Sequence, residues 1–152
     1  MRKGCEAAAS TGGKLGWPFV GVQAELHFGK YHDVDSSELA FTLAAQRAFR
    51  SAVEGNFQVL EPIMKLNVSV PEEFLGDVIG DLNKRRGMVE GTDERGGKTV
   101  IKAKVPLSEM FGYVTDLRTL TSGRADSSMT FSHYSEAPNS VSEAVIAEAQ
   151  GK

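Results

Sequence analysis

A Val-Pro pair followed ten residues after the proline by Asp-Leu occurs twice, 35 positions apart, in the C-terminal half of this chain. The first copy is Val70-Pro71 with Asp81-Leu82, and the second is Val105-Pro106 with Asp116-Leu117. Each copy follows an alternating run: Ile63-Met64-Lys65-Leu66-Asn67-Val68 in one case, Val100-Ile101-Lys102-Ala103-Lys104-Val105 in the other. Alternation of this kind marks a strand with one buried face. A proline closes such a strand and suits the first turn of a helix. Two strand-then-helix units, each followed by a further strand, predict a β-α-β-β-α-β sandwich of α+β class, the split βαβ or ferredoxin-like arrangement. That fold hosts many unrelated activities, so function has to be read from what it carries.

The first repeat helix is expected over 72–85. Phe74, Leu75, Val78, Ile79 and Leu82 form its apolar face, and Gly87 ends it. Met88 to Gly91 opens a strand that turns through Asp93 to Gly97, and its partner runs from Thr99 to Val105. The second helix is expected over 107–119 with Met110, Phe111, Val114 and Leu117 inward. A last strand covers 126–134, and Pro138-Asn139-Ser140 opens a short terminal helix.

Upstream, Glu6-Ala7-Ala8-Ala9 reads as the end of a helix broken by Gly12-Gly13. Val20 to Phe28 alternates and is expected to be a strand. A polar connection leads to a helix over 36–54, with Asp35 as N-cap and Glu38 closing a capping box. Gly55-Asn56 is the expected boundary, which gives a domain over 1–55 and another over 56–152.

Composition narrows the function classes. A net charge of −3 gives no bulk attraction for nucleic acid, so any RNA contact has to come from a local patch. The single Cys5 excludes an internal disulfide and fits a reducing compartment. No apolar run approaches the roughly 18 residues needed to span a bilayer. No secretory h-region is present near Met1, so a cytoplasmic location is expected and a membrane partner is not.

Motifs for chemistry fail on inspection. Gly91 to Gly97-Lys98-Thr99 imitates a P-loop, but its spacing is one residue too long and it enters a strand, so a hairpin turn is expected there. His27, His32, Asp33 and Asp35 have no geometry that would converge on a metal, and His133 sits on a strand without a nucleophile partner. No catalytic residue, metal site, cofactor or small-molecule substrate is expected, and the chain alone is not expected to be an enzyme. The densest basic run is Lys84-Arg85-Arg86. It serves either a helix dipole or RNA phosphates, with Arg95, Lys98, Arg118 and Arg124 helping if the fold gathers them.

Four stretches resemble a known family. Tyr31-His32-Asp33-Val34-Asp35-Ser36-Ser37-Glu38-Leu39-Ala40-Phe41 resembles the signature near the end of domain IV of bacterial elongation factor G. Leu60-Glu61-Pro62-Ile63-Met64 is similar to the start of its domain V. Gly76 to Gly87 and Val105 to Arg118 are similar to the two helices of domain V. The resemblance implies a C-terminal portion of a translational GTPase: the end of domain IV over 1–55 and a ferredoxin-like domain V over 56–152. It implies a role in moving tRNA and mRNA on the ribosome, with GTP and Mg bound in an N-terminal domain outside this sequence. It further implies that Tyr31, His32 and Asp33 form a tip loop facing A-site tRNA and mRNA. Lys84, Arg85, Arg86, Arg118 and Arg124 are candidates for rRNA contact. The missing part of domain IV would leave a sheet edge exposed in segment 1–55. The alternatives are a free-standing ferredoxin-like binding module and a relative acting in ribosome recycling or protection.

Overall fold

The computed structural model describes residues 1–151. The chain forms two compact units: Met1–Gln58 together with the segment from Pro138 onward, and Val59–Ala137.

The second unit realises the repeat. Strand β1 (Leu60–Val70) leads through a 3-10 turn, Glu72–Phe74, into α3 (Leu75–Lys84). Strands β2 (Met88–Arg95) and β3 (Lys98–Pro106) follow, then a second 3-10 turn, Leu107–Glu109, then α4 (Tyr113–Thr121) and β4 (Asp126–Glu136). The strands form one antiparallel sheet in the order β2-β3-β1-β4. This is the ferredoxin-like sandwich expected from the two copies.

The register explains the core. Leu66, Val68 and Val70 of β1 stand opposite Ala103, Ile101 and Thr99 of β3. These positions share one face, and there they meet Val78 and Leu82 of α3 and Tyr113 and Leu117 of α4 in a single apolar cluster. The β2–β3 connection is a two-residue turn at Gly96-Gly97 with φ of 57° and 80°. Two positive φ angles fit the twist of a hairpin, and glycine adopts them without strain. The Gly-Lys-Thr imitation of a P-loop is therefore a hairpin turn.

The phase of α4 differs from expectation. Phe111 is 80% and Val114 53% exposed, while Tyr113, Leu117 and Thr121 are buried. Gly112, at φ 75°, separates the 3-10 turn from the helix. The helix restarts at Tyr113, so its buried stripe runs 113, 117, 121 at the four-residue spacing of one helix face.

The first unit is built on α1 (Arg2–Thr11) and α2 (Glu38–Val53), with α5 (Asn139–Ala149) assigned to the same unit. The small residues Gly4, Ala8 and Ala45 are buried where α1 meets α2. A Cβ on Gly4 would lie 2.8 Å from that of Ala45, so glycine is required for this approach. Phe19 packs edge-on against Phe49 and Phe57.

Two expectations for this unit change. Residues 20–28 form no strand, and Val20, Val22, Leu26 and Phe28 are exposed. Alternation supplies a strand's faces but not its hydrogen-bonding neighbour, and an unpaired segment gains no ladder. The expected sheet edge is therefore absent. The cap of α2 is Ser37, whose side chain accepts from the Ala40 N–H at 3.1 Å, and not Asp35. Glu38 pairs instead with Lys3 across the α1–α2 contact, at 2.7 Å. No helix among the described residues is long and apolar enough to cross a membrane.

Candidate functional site

The candidate residues fall in three places. In the first unit, Tyr31, His32 and Asp33 are exposed on the connection before α2. A reciprocal pair of hydrogen bonds closes this loop. The His32 N–H donates to Ser36 Oγ at 2.7 Å, and the Ser36 N–H donates to His32 O at 3.0 Å. The backbone is thus pinned while the side chains stay in solvent.

The second place is one end of the sandwich, where α3 stops. Here the run Lys84-Arg85-Arg86 divides. Lys84 is exposed, but Arg85 and Arg86 are partly buried and turn toward the sandwich. Arg85 Nε donates to Asp81 Oδ2 at 2.9 Å, Nη1 to the Glu109 carbonyl at 2.7 Å, and Nη2 to Asp116. Its guanidinium lies 5.2 Å from the centroid of the Tyr113 ring. Arg86 Nη1 and Nη2 each donate to Glu61 at 2.9 Å, and Nε reaches Glu109 Oε1 at 3.3 Å. The two arginines tie α3 to the start of β1, the second 3-10 turn and α4. Local charge spacing was visible in the sequence, but acceptors 24 and 25 residues away were not.

Tyr113 belongs to this cluster. It is 3% exposed, and its hydroxyl has no hydrogen-bond partner. Burial, with a lesser push from Asp81, raises its pKa from 10.0 to about 12. Well below pH 10 the phenol is neutral whether folded or not. Between about pH 10 and 12 the unfolded chain ionises first, so stability falls as pH rises through that window. Tyr113→Phe is expected to match or exceed the parent stability at pH 7, by up to about 1 kcal/mol, because it removes an unpaired buried hydroxyl. In alkaline melts its advantage should widen between pH 10 and 12. A constant difference across that range would show that the phenol is not the titrating group.

The third place is the opposite end of the sandwich. The Gly96-Gly97 turn and the Gly123–Asp126 loop border an open cleft of about 400 Å³ above Pro71. Lys98 Nζ donates to the Arg124 carbonyl at 3.3 Å and lies 3.9 Å from Asp126. Arg124 pairs with Glu73 and sits 5.6 Å from the Phe74 ring centroid. Arg118, in the last turn of α4, is exposed. The fold therefore separates Lys98 and Arg124 from the 84–86 run instead of gathering all the bases together. No group of three His, Cys, Asp or Glu side chains is placed to hold a metal among the described residues.

A pinned polar loop on a helical unit, followed by a ferredoxin-like sandwich with bases at both ends, is the architecture that defines this class of protein. Comparison with known proteins gives the class its family. A model described as elongation factor G, domain IV matches residues 1–55, and one described as elongation factor G C-terminus matches residues 58–145. The chain belongs to the elongation factor G family, in the domain IV and C-terminal region. A crystal structure of a protein from Thermus thermophilus superposes with a TM-score of 0.89 at 39% identity, covering 99% of this chain. The match spans 23% of that protein's length.

Proposed function

We propose that this chain is the ribosome-binding C-terminal portion of a translocation factor. In this reading Tyr31, His32 and Asp33 face the A-site tRNA and mRNA, and the sandwich contacts rRNA. GTP and Mg are handled by family domains outside this sequence, and the chain itself carries out no chemistry. The observation that carries the reading is the ordered match of both family models, domain IV before the C-terminal domain, along one chain. The exposed loop supports it. Its backbone is fixed by the His32–Ser36 hydrogen bonds, so presenting its side chains to a partner requires little further ordering.

The test uses a full-length factor carrying this region. His32→Ala should slow translocation severalfold while GTP turnover stays near the parent rate. Its circular-dichroism melt should not move, because the His32 contacts to Ser36 use backbone atoms. Translocation at the parent rate would remove His32 from the tip. Failure of the wild-type factor to bind ribosomes would remove the reading altogether.

A further inference from the structure

The helices of the second unit cover one face of its sheet, and the other face is open. Register places five bases on that open face: Lys65 of β1, Arg95 of β2, and Lys98, Lys102 and Lys104 of β3. Three carboxylates share it. Glu90 pairs with Lys104 at 2.9 Å, Asp93 with Lys102 at 2.5 Å, and Asp126 approaches Lys98 at 3.9 Å. Cations therefore outnumber carboxylates here, in a chain whose net charge is −3.

The arrangement of these charges matters more than their number. Lys65 stands directly opposite Lys104, and Arg95 directly opposite Lys98. Like charges opposed across antiparallel strands are destabilising. The fold carries two such pairs on one face, although Glu, Thr or Ser would sit there without repulsion. Glu90 relieves one pair only in part. Its hydrogen bond to Lys104 and the charges of Lys104 and Lys65 hold its carboxyl below the usual range.

We infer that this open sheet face is a docking surface for the phosphate backbone of RNA. The inference rests on the ribosome-binding reading and deepens it, moving the main contact from the end of α3 to the sheet. Charge complementarity identifies the partner as a polyanion. Lys102 and Lys104 lie on one strand, and Lys65 is beside them on the next. This gives a compact row that several phosphates could contact at once. The aromatic residues of the sheet, Phe131 and Tyr134, stand opposite Met64 and Pro62 and pack against one another at 5.2 Å. Met64 shares the face of Leu66 and not that of Lys65, so Phe131 does not lie among the lysines. Contact is then with phosphates and independent of sequence. The exposed ion pairs to Glu90, Asp93 and Asp126 are worth little in water and exchange readily for phosphate.

The test measures binding of the 152-residue chain to two labelled RNA duplexes of unrelated sequence by fluorescence anisotropy. Both should bind alike, and affinity should fall between about 50 and 200 mM salt. Lys65→Gln/Lys102→Gln/Lys104→Gln should weaken binding at least tenfold and reduce the salt slope by about 2, since each lost phosphate contact removes just under one unit. Lys84→Gln/Arg118→Gln should stay within about twofold of the parent, the scatter expected of bases outside the contact. Lys65→Gln alone, which breaks no ion pair within 4 Å among the described residues, should weaken binding measurably and guards against loss of fold in the triple variant.

Unchanged affinity and slope in the triple variant would overturn the inference, as would absence of RNA binding by the parent chain. Competition by poly-glutamate as strong as that by RNA would reassign the face to an acidic protein and overturn it too. Co-sedimentation with large ribosomal subunits separates the two levels. If the parent chain sediments and the triple variant sediments equally, only the sheet face is wrong. If the parent chain does not sediment, the ribosome-binding reading is wrong.

Discussion

Val78→Asp should leave residues 59–137 without a stable fold. Val78 is 0% exposed and lies in the cluster formed by β1, β3, α3 and α4. An ionised carboxylate there would have neither water nor a cation. Burying a charge unpaired costs at least about 4 kcal/mol, a large share of the total stability of a small domain. The carboxyl can escape part of that cost by taking up a proton, so the variant should recover some structure at acid pH. Val78→Ala supplies the scale: it removes two methyl groups and should cost about 1–3 kcal/mol without loss of fold. Thermal melts followed by circular dichroism at pH 7 and pH 4 read both effects. A Val78→Asp melt superposable on the parent at pH 7 would show that α3 does not pack on the sheet through this residue.

Val78 was legible because its environment follows from local pattern alone. The Val-Pro to Asp-Leu echo placed both helices, and the alternating runs gave each strand a face. The apolar stripe of α3 continued unbroken from its first residues. The second copy shows where that logic stops. A continuous helix over 107–119 would turn Val114 inward. The left-handed Gly112 resets the helix and turns Tyr113 inward instead. A glycine in a sequence announces freedom, not the φ it will take.

Segment 20–28 failed for a different reason. Its alternation is as regular as that of β3, but a strand is a property of a pair, and no neighbouring strand pairs with it among the described residues. The site residues divide in the same way. The exposed Tyr31-His32-Asp33 loop was visible as a polar run. The lysine face was visible only as alternating lysines in β3 and a single lysine, Lys65, in the separate strand β1. The register Lys65↔Lys104 that opposes them is a long-range fact.

Replacing Arg86 should lower stability far more than RNA affinity, and the choice of substitute should show why. Arg86 occupies the left-handed position after α3, at φ 58°. The Arg86 N–H bonds Asn83 O at 3.2 Å and the Gly87 N–H bonds Leu82 O at 2.8 Å, the Schellman pattern that closes a helix. Glycine is the usual residue at that φ, so arginine carries backbone strain there. Gly87 is itself required by close approach, since a Cβ would lie 2.7 Å from Leu82 O.

The strain is offset by the guanidinium, which grips both oxygens of Glu61, a residue only 8% exposed. Removing the cation would leave that carboxylate buried and alone. Arg86→Ala should therefore cost about 3 kcal/mol, toward the low end for a buried pair because the arginine side chain is 30% exposed. Arg86→Gly loses the same ion pair but relaxes the backbone, so it should cost roughly 1 kcal/mol less than alanine. Glu61→Ala combined with Arg86→Ala should cost less than the sum of the two, because neither partner is then left unpaired. Urea melts of the four variants give these differences directly. A glycine variant no more stable than alanine would remove the strain argument, and strictly additive costs would show that Arg86 and Glu61 do not act as a pair.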